Sequence, residues 1–153
     1  MKIKIKKLSE NARVPKKAHT TDACFDVYAS EIEVKDASGV ETVVVKLGFS
    51  TEIPEGFKGV LVPRSSLTNT TWMMQNSPGQ IDASYRGEWQ MRFKQLLCFH
   101  NETKTPFRQK FPFEVGDRVG QVFFEKVLDI EFEENEGLSD SERGKGGFGH
   151  TGK

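Results

Sequence analysis

The chain has 153 residues, of which 29% are charged and 36% hydrophobic, and its 22 Lys and Arg side chains balance 22 Asp and Glu side chains. This length suits one domain with a substantial core. A net charge of zero argues against a general binder of nucleic acid or of a membrane surface, and the sequence lacks the run of about 18 apolar residues that a membrane-spanning helix needs. We therefore expect no nucleic-acid partner and no membrane partner.

Short strands are predicted along the chain, and the first is Lys2–Lys6, where Lys and Ile alternate. In the clearest later run, Trp89, Met91 and Phe93 alternate with polar residues. The further predicted strands are Val43–Val45, Gly59–Val62, Glu88–Lys94 and Val119–Phe124. Turn residues separate them at Pro54–Gly56, Ser77–Gly79 and Gly116–Asp117. Only Thr68–Gln75 is expected to hold a short helical turn. Many short strands with almost no helix predict an all-β sandwich or barrel.

The two cysteines, Cys24 and Cys98, are far apart and match no metal-binding spacing. We interpret them as buried thiols of a reducing compartment. The N-terminus lacks the apolar stretch of a signal peptide. We therefore expect the protein in the cytoplasm, or in the cytoplasm of a host cell if it is viral.

The stretch Pro63-Arg-Ser-Ser-Leu67 places a guanidinium and two hydroxyls directly after a predicted strand. Several donors at one point are what phosphate oxygens require. The alternative interpretation is a capped turn, because Ser commonly begins a short helix.

The stretch 76–88 is rich in turn residues and carries an acid, Asp82, and an aromatic ring, Tyr85, between Gly79 and Gly87. One interpretation is a binding loop. The other is a plain hairpin in which the Asp82 side chain makes a local turn.

The C-terminal part of the chain begins with an acidic stretch, 131–142, in which six of twelve residues are Asp or Glu. We interpret this stretch as a solvated linker. The last eleven residues hold five glycines, with Phe148 in their middle and Arg143 at their start. Glycine permits close approach of backbone N–H groups to an anion, and a lone ring offers a face on which a base can stack. The two interpretations are an arm that closes over a nucleotide and a disordered Gly-rich tail.

Five stretches, taken in order, resemble the motifs of the homotrimeric dUTPase (deoxyuridine triphosphate nucleotidohydrolase) family along nearly the whole chain. They are Asp22–Ala29, Pro63–Leu67, Gly79–Gly87, Gly116–Gln121 and Arg143–Gly152. The resemblance implies a jelly-roll-like β-sandwich or barrel over residues 1–130. It implies that residues 131–153 form the linker and a flexible C-terminal arm.

The resemblance also implies roles around the base and the sugar. Asp82 would be the general base that activates the attacking water. Tyr85 would pack under the deoxyribose and exclude a 2′-hydroxyl. Asn76 and the backbone from Gly79 to Ile81 would read the uracil edge.

Phosphate and metal roles follow from the same resemblance. Asp26 would hold water on a Mg²⁺ ion bound to the triphosphate. Phe148 would stack on uracil. The remaining expected substrate-binding residues lie in the second, fourth and fifth motifs: Arg64, Ser65, Ser66, Gln121, Arg143, Gly149 and Thr151.

The implied reaction is hydrolysis of dUTP to dUMP and pyrophosphate by water attack at the α-phosphate. It would limit dUTP and supply dUMP for thymidylate synthesis. The implied assembly is a homotrimer with shared active sites.

Some positions depart from the family pattern. Ser66 and Cys24 stand where Gly is usual, and 100–113 is longer than typical, so we expect an extended hairpin or surface loop there. One alternative is a dCTP deaminase-like enzyme of the same fold. That enzyme uses a Glu ten residues after the central Asp, where this chain has Arg92. The other alternative is a non-catalytic β-sandwich that binds or regulates.

Overall fold

The fold is built from short strands. A computed structural model describes residues 1–37 and 39–147. Within these residues one 3-10 helix, Ser65–Asn69, accompanies twelve strands. The strands are β1 (Lys4–Lys7), β2 (Phe25–Tyr28), β3 (Glu31–Ala37), β4 (Val40–Lys46), β5 (Phe49–Glu52), β6 (Phe57–Pro63), β7 (Trp72–Met74), β8 (Gly79–Ile81), β9 (Gln90–Gln95), β10 (Cys98–Phe99), β11 (Pro106–Phe107) and β12 (Arg118–Lys126).

The strands form two four-stranded sheets, in the orders β2-β12-β6-β8 and β3-β4-β9-β7. Two small sheets, β1-β5 and β10-β11, complete the structure. All pairings are antiparallel. The predicted all-β, jelly-roll-like architecture is therefore confirmed.

The core lies where the apolar faces of these strands meet. In β9 the predicted alternation is confirmed, since Met91 and Phe93 are buried while Arg92 between them is exposed. Trp89, just before β9, is also buried, and its ring lies 5.1 Å from that of Phe49. Burial of such side chains stabilises the fold by about 1.5–3 kcal/mol each.

The long segment after β9 forms the β10–β11 hairpin, and its end then returns to the core. The ring of Phe111 lies 5.0 Å from Trp72 and 5.3 Å from Phe93. The indole N–H of Trp72 donates to the backbone oxygens of Gln109 and Lys110, each at 3.2 Å. The return of the chain thus satisfies the polar atom of a buried ring.

Two local predictions are wrong. The expected helical turn at Thr68–Gln75 begins earlier, at Ser65, and Trp72–Met74 is a strand. Trp72 and Met74 are buried and Met73 is exposed, which is the period of two of a strand and not the period of a helix. This strand pairs with β9. Cys24 and Cys98 are free thiols but are half-buried rather than buried.

After β12 ends at Lys126, residues 127–147 contain neither helix nor strand. Across the described ranges, no helix has the length and apolar character that crossing a bilayer requires.

Candidate active site

Asp82 is placed by a strand pair. β8 runs antiparallel to β6, with Gly59 opposite Ile81 and Leu61 opposite Gly79. Asp82 follows the last residue of β8, and its exposed side chain lines an open cavity of about 780 Å³. The same cavity is lined by Lys58, Arg86 and Asp129. A carboxylate in this setting is accessible to water and to a ligand.

The start of β8 depends on a close backbone approach. A Cβ on Gly79 would lie 3.1 Å from the backbone oxygen of Asn76 and 3.2 Å from Cβ of Leu61. Asn76 itself is held by β9, since its Nδ2 donates to the Gln90 oxygen at 3.1 Å and its Oδ1 accepts from the Arg92 N–H at 2.8 Å. The Asn76 amide therefore fixes the loop that leads into β8, while its second Nδ2 hydrogen is not used by either bond.

Tyr85 is about half-exposed (43%), and its hydroxyl donates to the backbone oxygen of Glu88 at 3.1 Å. A Cβ on Gly87 would collide with that hydroxyl and with the ring. The Glu88 carboxylate accepts the backbone N–H of Gly48 at 3.1 Å. The ring is thus held at its hydroxyl end, and a little under half of the residue's surface faces solvent.

A second group of candidate side chains surrounds Asp26, which is 4% exposed. Its Oδ1 accepts from Nε2 of Gln121 at 3.2 Å and lies 3.6 Å from Nε of Arg64. Its Oδ2 accepts from a guanidinium nitrogen of Arg118 at 3.2 Å. We call Asp26, Arg64, Arg118 and Gln121 the Asp26 cluster. With two guanidinium groups and one carboxylate it carries a net positive charge, which favours an anion.

Strand register explains this cluster. Asp26 on β2 is opposite Gln121 on β12, and Gln121 is opposite Val62 on β6. Arg64 follows the end of β6 and precedes the 3-10 helix, where Ser65 and Ser66 are exposed. The stretch does enter a short helix, but Arg64 occupies the N-cap position and no side chain caps the helix, so the capped-turn interpretation is wrong in its detail.

Arg118 is the member of the cluster that sequence reasoning missed. It lies inside the fourth motif, so its position was available. Its partner Asp26 is 92 residues away along the chain, and a contact at that separation leaves no local signal.

The side chains around Asp26 limit the kind of metal site that the protein can form. Within residues 1–37 and 39–147, no three His, Cys, Asp or Glu side chains are grouped so as to hold a metal ion. Mg²⁺ is commonly bound by one or two carboxylates together with substrate phosphates and water. The single carboxylate of Asp26, beside two guanidiniums, fits outer-sphere support of a phosphate-bound ion and not a protein-only metal cage.

Asp82 and the Asp26 cluster are not brought together within one chain. By the register of β6 and β8, Asp82 is next to Lys58, whereas Arg64 follows Pro63 at the other end of β6. These positions are six residues apart, or about 20 Å along a strand. Among the described residues, no member of the Asp26 cluster lines the cavity at Asp82.

The beginning of the fifth motif lies on the surface. Arg143 is exposed, and its Nε donates to the Gly146 oxygen at 2.9 Å within a local turn. Phe148, Gly149 and Thr151 lie outside the described residues.

Comparison with known proteins gives one family. The family described as dUTPase matches residues 10–152. The deoxyuridine 5′-triphosphate nucleotidohydrolase of Clostridioides difficile is 39% identical over 151 residues, which cover 98% of this chain and 97% of that protein.

Two solved structures are also similar. The Staphylococcus bacteriophage 80alpha dUTPase, solved as a mutant with dUpNHpp, superposes with a TM-score of 0.78 at 29% identity and covers 99% of each chain. The dUTPase of phage phi11 of S. aureus shares the fold, with a TM-score of 0.70 at 24% identity and coverage of 92% of this chain and 100% of that one. Its structure is described as showing the coordination of a structural Mg(II) ion.

Proposed function

The chain belongs to the dUTPase family, and on that premise we propose that it hydrolyses dUTP to dUMP and pyrophosphate with Asp82 as the general base. The observation that carries the proposed role is the position of Asp82. It follows a strand whose pairing fixes it, and its carboxylate faces an open cavity. A positioned carboxylate that takes a proton from the attacking water contributes about 10²–10⁴ in rate.

The Asp26 cluster is proposed to receive the phosphates. Phosphoryl transfer requires positioning and neutralisation of charge more than covalent chemistry by the protein. Arg64 and Gln121 would contact phosphate oxygens, and Ser65 and Ser66 would add hydroxyl donors from the exposed helix start. Mg²⁺ on the triphosphate would supply further positive charge. Asp26 would orient water on that ion, because its carboxylate is already held in place by the neighbouring donors.

The stretch 76–87 is proposed to select the nucleoside. The backbone from Gly79 to Ile81 is rigid because it pairs with β6, so it can offer fixed donors and acceptors to the uracil edge. Asn76 would use the Nδ2 hydrogen that its bond to Gln90 leaves over. The ring of Tyr85 would lie against the deoxyribose and leave no space for a 2′-hydroxyl.

We propose that a complete active site forms only in a homotrimer, in which each active site is shared between chains. One support is the separation of Asp82 from Arg64 within one chain. The other is an unusual run after β12 in which apolar and acidic residues alternate and the apolar side chains are strongly exposed: Leu128 75%, Ile130 63% and Phe132 98%. A period of two is typical of a strand with one buried face. Such a segment is suited to burial against another copy of the chain.

The C-terminal residues are proposed to act as a separate unit. Residues 1–130 would form the catalytic core, and 131–153 the acidic linker and arm. Arg143 and Thr151 would approach the γ-phosphate, Gly149 would allow close backbone contact, and Phe148 would stack on uracil. We also propose a cytoplasmic location, which the two free thiols support.

A panel of nucleotides tests the activity. The protein would be incubated with each dNTP, and with UTP, in the presence of Mg²⁺, and the products separated by ion-exchange chromatography. Rapid release of dUMP and pyrophosphate from dUTP alone is expected. Orthophosphate in place of pyrophosphate, or equal turnover of dCTP, would refute the proposal. A deaminase is not favoured, because the position at which it needs Glu is Arg92.

A further inference from the structure

The fourth motif contains an irregularity of strand pairing at the start of β12. Where β12 pairs with β2, Arg118 is opposite Tyr28 and Gly120 is opposite Val27, so β12 has one residue more than β2 between these two pairs. The extra residue is Val119, and the arrangement is a β-bulge. Because side chains alternate between the two faces of a regular strand, an extra residue exchanges the faces of all side chains beyond it.

The bulge puts Arg118 and Gln121 on one face of β12. In a regular strand these two residues, three positions apart, would point to opposite faces. Here both side chains donate to the carboxylate of Asp26, each at 3.2 Å. The burial of Val119 and Val122 agrees with this, since these residues are also three positions apart and both are fully buried. The bulge therefore directs Arg118 toward Asp26.

The two carboxylate oxygens of Asp26 have different partners. Oδ1 accepts from Gln121 and lies 3.6 Å from Nε of Arg64, and both of these side chains are proposed to contact phosphate. Oδ2 accepts from Arg118. If Gln121 and Arg64 turned toward a phosphate, Oδ1 would be freed, whereas Arg118 would still hold Oδ2. A buried carboxylate that keeps a charged donor stays in place, and its free oxygen can accept a hydrogen bond from metal-bound water.

On the basis of the proposed function, we infer that Arg118 is a positioning residue, which holds Asp26 so that its free oxygen orients water on the Mg²⁺ ion of the triphosphate. The phosphates themselves would be bound by Arg64. The backbone oxygen of Arg118 contributes as well, since it accepts a hydrogen bond from a guanidinium nitrogen of Arg64 at 3.3 Å. Arg118 thus supports both the carboxylate that faces the ion and the guanidinium that faces the phosphate.

The test compares Arg118→Gln with Arg64→Gln in the full chain, with dUpNHpp as the nucleotide. Mn²⁺ replaces Mg²⁺, because it suits the same oxygen ligands and is detected by electron paramagnetic resonance. Arg118→Gln should weaken Mn²⁺ binding to the complex of protein and dUpNHpp about tenfold, the lower end of the effect of removing a partner outside the inner shell of a metal. Its affinity for dUpNHpp in EDTA, measured by calorimetry, should stay within a few-fold of the parent. Arg64→Gln should lose most of that metal-free affinity.

The matched control is Arg13→Gln, which removes the same charge from an exposed arginine whose guanidinium contacts the Tyr28 ring and the Gly116 oxygen. It should leave both affinities unchanged. Arg118→Lys keeps the charge and a donor, so it serves as the test if Arg118→Gln does not fold. It should lose less Mn²⁺ affinity than Arg118→Gln, but still more than it loses affinity for dUpNHpp in EDTA.

The inference is overturned if both Arg118 variants bind Mn²⁺ as tightly as the parent. It is also overturned if Arg118→Gln loses as much metal-free affinity for dUpNHpp as Arg64→Gln, since Arg118 would then be a phosphate ligand. An equal loss of Mn²⁺ affinity in Arg13→Gln would contradict it too, because loss of charge alone would then explain the effect. In all three cases the parent still binds dUpNHpp, and the proposed function stands. A parent that binds no dUpNHpp would overturn the proposed function, and this inference with it.

Discussion

Asp82 and Arg64 lie at opposite ends of the strand pair formed by β6 and β8, separated by about 20 Å along the strand direction. Each of these two residues is held in place by its own neighbours. Asp82 follows a paired strand, and Arg64 is directed toward Asp26. The proposed reaction needs both near one triphosphate. The geometry of one chain therefore leads to the proposal that the base and the phosphate-binding group come from different copies.

Asp82→Asn should retain the fold and nucleotide binding but lose about 10²–10⁴ in turnover, because an amide cannot accept the proton of the attacking water. Turnover of dUTP and the affinity for dUpNHpp would be measured together. Affinity should stay within a few-fold of the parent. A variant that turns over dUTP at the parent rate would exclude Asp82 as the base.

Tyr85→Ala should raise the activity on UTP relative to dUTP, because removal of the ring opens the space in which a 2′-hydroxyl would fit. The control is Tyr85→Phe, which loses the bond to the Glu88 oxygen but keeps the ring. The ratio of kcat/KM for UTP and dUTP should change in the first variant and remain nearly constant in the second. If truncation to alanine left this ratio unchanged, Tyr85 would have no part in sugar discrimination.

Removal of residues 143–153 should abolish most turnover while the thermal midpoint and the oligomeric state are retained. No strand or helix is found at 127–147, so truncation after Glu142 deletes no described element of the core. A protein that lacks Lys153 alone serves as the control. Equal turnover of the two proteins at saturating dUTP would return the arm to its other interpretation, a tail without a role in the reaction.

Glu33 provides a prediction on pH that is independent of catalysis. Its hydrogen bond from Lys46, helped by Lys35, lowers the pKa of its carboxyl from an ordinary value of 4.5 to about 2. Since the pKa is lower in the folded state, this interaction stabilises the fold above pH 4.5, and the effect is lost as the pH falls towards 2. Lys46→Gln should raise the pKa of Glu33 toward its ordinary value, as read by carbon NMR of the carboxyl group. The stability difference between the two proteins should vanish near pH 2.

The sequence predicted strands that coincide wholly or in part with β1, β4, β6, β9 and β12, but it did not predict β2, β3 or β5, although β3 has seven residues. The alternation around Met91 and Phe93 gave β9 its correct buried face because one side of that strand meets the core. The three-residue strands β7 and β8 were missed as strands. Their pairing with β9 and β6 is decided by contacts between distant parts of the chain. Trp72 is a case in which such a contact overrides the local expectation of a helical turn.

In the candidate site, too, local features could be predicted from the sequence and contacts between distant residues could not. Asp82 and Tyr85 could be singled out from a local stretch rich in turn residues, whereas Asp26 was named only through the family resemblance. The sequence could not reveal that Arg118 pairs with Asp26. It also could not reveal that the side-chain amide of Asn76 is hydrogen-bonded to the backbone of β9. Those are long-range geometric facts. The separation of Asp82 from Arg64 is likewise a property of strand register and not of any motif.

Mixed oligomers test most directly whether Asp82 and Arg64 from different chains share one site. Asp82→Asn and Arg64→Ala chains would each be nearly inactive alone. They would be mixed in equal amounts, dissociated, reassembled and assayed with dUTP. In a shared-site trimer, random assembly pairs an intact Asp82 with an intact Arg64 in roughly a quarter of the sites, so about a quarter of the parent activity should return. Reassembled mixtures no more active than the separate variants would contradict the account and place both residues in one chain's site.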